Sequence, residues 1–172
     1  MHLWGLEGLA EKDEFVLSNF SPEEYRVHHA VVYTNDVNLS LRSRIIQQYE
    51  GYESYTIIAR SALVTSSSKI AGGCALMEGA IVNGAILAQN SVINTKAVIE
   101  HGCILGNNVF VGPGAIVCGD TCIGDNVLVG AGVIIRDGIE ITENVTIGMG
   151  SVVVRSIVEP GVYLGNPCRK IR

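Results

Sequence analysis

The sequence predicts a mainly β fold, a parallel β-solenoid, because aliphatic residues recur at almost every sixth position between Val64 and Val153. One step, from Val82 to Leu87, is five residues long instead of six. Neither the 3.6-residue period of a helix nor the two-residue period of a strand explains this pattern, and a fixed repeat is typical of units that stack on their neighbours. The aliphatic series is Val64, Ile70, Leu76, Val82, Leu87, Ile93, Ile99, Leu105, Val111, Val117, Ile123, Val129, Ile135, Ile141, Ile147 and Val153.

A second series, of mostly small residues, lies two positions before each aliphatic residue and completes the predicted interior. Its members are Ala62, Ser68, Cys74, Ala80, Ala85, Ser91, Ala97, Cys103, Val109, Ala115, Thr121, Val127, Val133, Ile139, Val145 and Ser151. If the coil is triangular in section, three steps make one turn of about 18 residues, and hydrogen bonds join turns about 4.8 Å apart. Residues one turn apart in the sequence are therefore expected to stack in columns.

Residues 1–60 lack the repeat and predict a small N-terminal α/β cap. The predicted cap strands cover residues 15–17, 30–34 and 55–58, and the predicted cap helix covers residues 37–49. The solenoid is predicted over residues 61–158, and residues 159–172 form a short basic tail. The cap shows no Gly-rich loop between a strand and a helix, so no phosphate cradle is visible there.

The composition excludes several classes of function. The net charge is −5, and no run of Lys and Arg is long enough to follow a phosphate backbone, so nucleic acid is not an expected partner. No apolar run reaches the length of a membrane span, and no signal peptide opens the sequence. The five Cys form no CxxC pair, which favours a reduced, cytoplasmic protein.

Short segments inside the repeat, such as residues 123–127 (IGDNV) and 129–132 (VGAG), resemble the hexapeptide-repeat acyltransferases. The resemblance implies a left-handed parallel β-helix and a homotrimer that uses acetyl-CoA as co-substrate. The chain is more closely similar to the branch that acetylates sialic acids and nucleotide-linked 4-amino sugars, including the bacillosamine-type N-acetyltransferases. The residues that carry this likeness are 94–95 (NT), 98–101 (VIEH), Gly119 and 165–167 (GNP). In that branch an acidic residue often follows the catalytic His and a second His comes nine residues later, where this chain has Gly102 and Phe110.

His101 is the only histidine in the predicted solenoid, and Gly119 follows it by 18 residues. The two are therefore expected to stack at one corner, where the imidazole could act as a general base and the Gly119 N–H could stabilise an oxyanion. The alternatives are an ordinary exposed corner His and an ordinary turn Gly. Asn94 and Glu100 are supporting catalytic candidates, although Glu100 could simply be solvated.

The candidate residues for binding acetyl-CoA lie on later coils and in the tail. Arg169 and Lys170, with Arg172 nearby, are candidates for its 3′-phosphate, or else a solvated basic tail. Backbone groups of later coils could line its pantetheine arm. The residues assigned to the co-substrate are Gly130, Gly148, Ser151, Arg155, Arg169 and Lys170.

The sequence therefore predicts an acetyl-CoA-dependent acetyltransferase that acts on an amino group or a hydroxyl of a sugar by direct attack, with no metal. Acetylation of a small acceptor, such as an amino acid hydroxyl, remains an alternative, as does a non-catalytic scaffold. A zinc carbonic anhydrase also uses this fold, but it needs three His ligands, and the predicted solenoid contains one His.

Overall fold

The computed structural model describes residues 19–29, residue 42 and residues 45–172. The cap strands predicted at residues 15–17 and 30–34 lie outside the described residues. Of the predicted cap helix, residue 42 and residues 45–48 are described and helical.

Residues 57–170 form three parallel sheets whose two- to four-residue strands succeed one another around a coil. The first sheet contains Ile57–Ile58, Ala75–Leu76, Val92–Ile93, Phe110–Val111, Leu128–Val129, Val145–Ile147 and Gly161–Leu164, with Arg169–Lys170 added antiparallel. The second sheet contains Leu63–Val64, Ile81–Val82, Val98–Ile99, Ile116–Val117, Ile134–Ile135 and Val152–Val153. The third sheet contains Lys69–Ile70, Ile86–Leu87, Ile104–Leu105, Cys122–Ile123 and Glu140–Ile141.

The register between coils follows the predicted column spacing. Val98 pairs with Ile116, 18 residues later, and Ile116 pairs with Ile134 in the same way. The five-residue step shortens one corner, so Ile81 pairs with Val98 after 17 residues. Below and above that corner every strand still meets its partner in parallel, because the missing residue comes from a turn and not from a ladder.

The interior is filled by the two predicted series. Ile99, Leu105 and Val111 are fully buried, and the smaller Ala97 and Cys103 lie beside them. The strand residues between the inward positions face outward, so several large aliphatic side chains remain exposed in the single chain. Their exposed fractions are 48% for Ile104, 38% for Ile116 and 43% for Ile134.

The described part of the N-terminal region is attached to the first coils. Arg26–Val27 pairs in parallel with Glu53–Ser54. Arg42 is 1% exposed, and its Nη2 donates a hydrogen bond of 2.8 Å to the carbonyl oxygen of Asn90. Ile57–Ile58, which the sequence assigned to the cap, is instead the first strand of the first sheet.

The tail folds onto the last coil. Gly161–Leu164 extends the first sheet by pairing with Val145–Ile147, and Arg169–Lys170 returns antiparallel to it. The Cys168 N–H donates to the Val152 carbonyl at 2.8 Å, which closes the end of the second sheet. None of the helices in residues 19–29, 42 and 45–172 is long and apolar enough to cross a membrane.

Ile99→Ala should lower the free energy of unfolding by about 2–5 kcal/mol, because it empties a fully buried position between coils. Chemical denaturation followed by circular dichroism measures the change. Lys69→Ala, at an exposed outward position, is the control and should stay close to wild type. Equal denaturation midpoints for the two variants would contradict the assignment of this core.

Candidate functional site

The predicted catalytic pair lies on the corner between the second and third sheets, which we call the His corner. It consists of the residues that follow each strand of the second sheet. One column of this corner contains Gly84, His101, Gly119, Asp137 and Arg155, in order along the solenoid.

The His101 imidazole lies directly against the backbone of Gly119. A Cβ placed on Gly119 would be 2.7 Å from Cε1, 2.9 Å from Nε2 and 3.2 Å from Nδ1 of the ring. Any side chain at position 119 would therefore displace the imidazole. His101 is exposed and Gly119 is buried, so the ring is open to a ligand on its outer side while its inner side rests on the coil above.

The Gly119 N–H donates no hydrogen bond within the described residues. Turn amides at another corner are bonded to side chains of the next coil: Asn107 N–H donates to Asp125 Oδ1 at 2.7 Å. A buried N–H without an acceptor is rare and indicates a group that is completed by a ligand or water. The structure thus places a free donor beside an imidazole, which is the pairing that acyl transfer requires.

Glu100 is half-buried and accepts a hydrogen bond of 3.0 Å from Nδ2 of Asn83 on the coil below. The carboxylate is therefore held toward Asn83 and is not the freely solvated group that the sequence favoured slightly. Sequence reasoning did not single out Asn83, whose position one column step below Glu100 follows only from the shortened corner.

Gly84 lies beneath His101 and leaves the space below the imidazole open. A Cβ on Gly84 would be 3.9 Å from Cβ of His101 and 3.3 Å from Oγ of Ser67. Below it, the hydroxyls of Thr65 and Ser68 accept hydrogen bonds from the Gly84 N–H at 2.7 and 2.9 Å.

Asn94 does not lie beside His101 within one chain. It follows the first-sheet strand Val92–Ile93, so it belongs to the corner between the first and second sheets. We call this the glycine corner, since Asn94 is followed along its column by Gly112, Gly130 and Gly148. Asn94 Oδ1 accepts a hydrogen bond of 2.7 Å from the Thr95 N–H, which leaves its amide nitrogen facing no acceptor within the described residues.

Gly130 and Gly148 also lie on the glycine corner, and close packing explains the missing side chains. A Cβ on Gly130 would be 2.7 Å from both the Ile147 oxygen and the Met149 nitrogen. A Cβ on Gly148 would overlap Cδ1 of Leu164 in the tail. The column therefore exposes backbone and no side chains along one edge.

Ser151 is fully buried, and its hydroxyl is already bonded. It donates to the Gly148 carbonyl at 2.7 Å and accepts from the Gly165 N–H at 3.1 Å. Its side chain fastens the tail to the last coil, so any contact with a co-substrate would involve its backbone. Arg155 is exposed on the His corner and makes no side-chain contact within the described residues.

The two cations of the tail differ in their surroundings. Nζ of Lys170 lies 2.9 Å from a carboxylate oxygen of Glu159, and this hydrogen bond raises the pKa of Lys170 and lowers that of Glu159. Arg169 is exposed, and its Nη1 donates only to the carbonyl of the preceding Cys168 at 3.1 Å. Arg169 is therefore the freer of the two cations for a phosphate.

Within the described residues, no three His, Cys, Asp or Glu side chains come together as a possible metal site. The acid–base and donor groups of the His corner are therefore the chemistry that this part of the chain presents.

Comparison with known proteins identifies the fold. Residues 120–155 match the family model "Bacterial transferase hexapeptide (six repeats)". The acetyltransferase domain of PglB from Neisseria gonorrhoeae FA1090 is 30% identical, superimposes with a TM-score of 0.84, and the match covers 92% of this chain and 77% of that domain. The chain belongs to the hexapeptide-repeat acyltransferases. Its fold is the left-handed parallel β-helix of these acetyltransferases, as the resemblance predicted.

Two further solved structures extend the comparison of this acyltransferase. The PglB domain has also been solved with acetyl coenzyme A, at 29% identity and a TM-score of 0.83, covering 91% of this chain and 76% of that one. PerB from Caulobacter crescentus, solved with CoA and GDP-perosamine, shares the fold at 24% identity and a TM-score of 0.83, covering 94% of this chain and 76% of that one. No curated protein sequence matches the chain.

Gly119→Ala should lower turnover roughly 10²-fold, because the added Cβ displaces the imidazole by about 1 Å or more. The unfolding midpoint should change little, since the clash is with the end of one side chain. Gly138→Ala supplies the opposite pattern: its φ of +63° strains an Ala, but no atom lies within 4 Å of the new Cβ. That variant should lose about 1–2 kcal/mol of stability and keep its turnover. Full activity in Gly119→Ala would contradict the site.

Proposed function

We propose that this acyltransferase transfers the acetyl group of acetyl-CoA to an amino group or hydroxyl of a sugar, and that a nucleotide-linked amino sugar is the first acceptor to test. The observation that carries the proposal is the His101 imidazole packed beside the free, buried N–H of Gly119. The similarity to the PglB domain, solved with acetyl coenzyme A, supports the co-substrate, and PerB, solved with GDP-perosamine, suggests the acceptor class.

The mechanism follows from these two groups. His101 removes a proton from the acceptor amine or hydroxyl as the heteroatom attacks the thioester carbonyl. The carbonyl oxygen becomes negatively charged and accepts a hydrogen bond from the Gly119 N–H. When the tetrahedral intermediate collapses, the carbon–sulfur bond breaks, and the imidazolium returns its proton to the departing thiolate of CoA. The acetyl group is never attached to the enzyme.

Two corners must contribute to one such site. His101 and Arg155 lie on the His corner, whereas Asn94, Gly130 and Gly148 lie on the glycine corner at the other edge of the second sheet. A thioester arm that follows the glycine corner cannot reach His101 of the same chain without crossing the second sheet. If the His corner of one copy faces the glycine corner of the next, both sets of residues line a single groove.

A closed ring of three copies provides this arrangement three times, since each copy uses two different surfaces. The exposed aliphatic residues Ile116 and Ile134 lie on the second sheet between the two corners, where such an interface would bury them. We therefore propose a homotrimer with its active sites between subunits. The reducing cytoplasm suits the five free Cys, and we place the reaction there.

A screen of nucleotide-linked amino sugars, free sugars and small amino acids with acetyl-CoA, followed by release of the CoA thiol, tests the reaction. With the best acceptor, His101→Ala should lower turnover roughly 10²–10⁴-fold, the contribution of a positioned general base. Binding of acetyl-CoA, measured by calorimetry, should change little, because the ring does not lie on the glycine corner. Binding without turnover on any acceptor would instead favour the scaffold alternative.

Sedimentation should give the mass of a trimer, and complementation should show that two chains build each site. His101→Ala and Asn94→Ala, mixed during refolding in equal amounts, should regain activity, because about a quarter of the interfaces then combine an intact His with an intact Asn. Each variant refolded alone is the control. A stable monomer, or mixtures no more active than the controls, would contradict the shared site.

A further inference from the structure

Asp120 follows Gly119 directly and lies on the turn above His101. Its backbone N–H donates a hydrogen bond of 2.8 Å to the His101 carbonyl, so the two turns are tied together at this point. Its φ is 56°, in the left-handed region. A Cβ placed on Gly102 would overlap Oδ1 of Asp120 and lie 3.2 Å from its Cγ. The carboxylate therefore reaches down onto the residue that follows His101.

The two side chains cross between the same pair of coils. His101 reaches up into the space where Gly119 has no side chain, and Asp120 reaches down into the space where Gly102 has none. The imidazole and the carboxylate thus occupy neighbouring columns of the His corner, within one coil spacing of about 4.8 Å. Each glycine is what admits the side chain of the other coil.

We infer that Asp120 is a positioning residue for His101 and that its carboxylate stabilises the imidazolium formed when the proton leaves the acceptor. The inference rests on the proposed function, since it requires His101 to be the base. Opposite charges within a few ångströms favour the charged form of each group, and exclusion of water by bound substrates strengthens that attraction.

The other charged groups around His101 are less suited to this role. Glu100, on its own coil, is held by the Asn83 amide. Asp137 lies two coils above His101 in the column, twice the spacing of Asp120. Asp120 itself accepts no hydrogen bond within the described residues. The titratable and charged groups that face His101 from its own and the neighbouring coils are Glu100, Cys118, Asp120, Arg136 and Asp137.

The interior thiol behind this turn reports the same charge. Burial raises the pKa of Cys103, and the negative charges of Asp120 and Glu100 raise it further. The field of the Asp120 carboxylate therefore extends over the turn that contains His101.

The turn itself does not require the charge. Asn90 adopts the same conformation, with φ 59°, and its Oδ1 reaches Gly73 on the coil below in the way that Asp120 reaches Gly102. A neutral amide of the same shape is therefore compatible with the turn, and Asp120→Asn removes the charge with the backbone unchanged.

Asp120→Asn should lower kcat roughly 10-fold and move the acidic limb of the kcat/KM profile about one pH unit lower. The direction follows because an imidazolium without its partner charge loses its proton more easily, so the base form persists to lower pH. KM for acetyl-CoA and the unfolding midpoint should stay at wild-type values. Asp137→Asn is the matched control and should leave both profile and kcat unchanged.

The outcomes separate the two proposals. If wild type turns over an acceptor and His101→Ala does not, but Asp120→Asn keeps the wild-type profile, the role of Asp120 is overturned and the proposed function stands. A shifted profile in Glu100→Gln, with none in Asp120→Asn, would assign the role to Glu100 instead and also overturn the inference. If His101→Ala retains full turnover, both proposals fail together.

Discussion

Hydrogen bonds between successive coils determine everything else in this molecule. Each strand donates to the coil above, as Glu100 N–H does to the Val117 carbonyl at 3.0 Å, and the corners continue the ladder with bonds such as Asp120 N–H to His101 O at 2.8 Å. These bonds are backbone to backbone, so they hold the columns in register whatever side chains occupy them. The contact of His101 with Gly119 is a consequence of that register.

The sequence predicted the solenoid because its core is one-dimensional: a residue such as Ile99 meets only the equivalent residues of adjacent coils, so the period alone specifies the packing. It also predicted that Gly119 stacks on His101, although their roles remain predictions. The repeat gave no information on the ends, where Ile57–Ile58 joined the first sheet and the tail folded back onto the last coil. Contacts there are made once and leave no periodic signal.

Side-chain partners were harder to predict than columns. The bond between Glu100 and Asn83 depends on which way two flexible side chains turn, and the crossing of Asp120 over Gly102 depends on a left-handed turn that Asp and Asn share. Asn94 was placed near His101 because seven residues separate them, but a triangular coil sends those residues to different corners. Proximity in sequence is a poor guide in a fold whose neighbours lie a full coil apart.

The shortened corner at Gly84 shows that the turns and the ladders of this fold vary independently. One residue is missing there, yet Val82 still pairs with Ile99 and the sheets continue undisturbed. Because the loss falls directly beneath His101, it changes the depth of the cleft under the imidazole and leaves the scaffold that carries the imidazole intact. A lineage with this architecture can therefore reshape what it accepts by single-residue insertions and deletions at a corner, a kind of change that most enzyme cores do not survive.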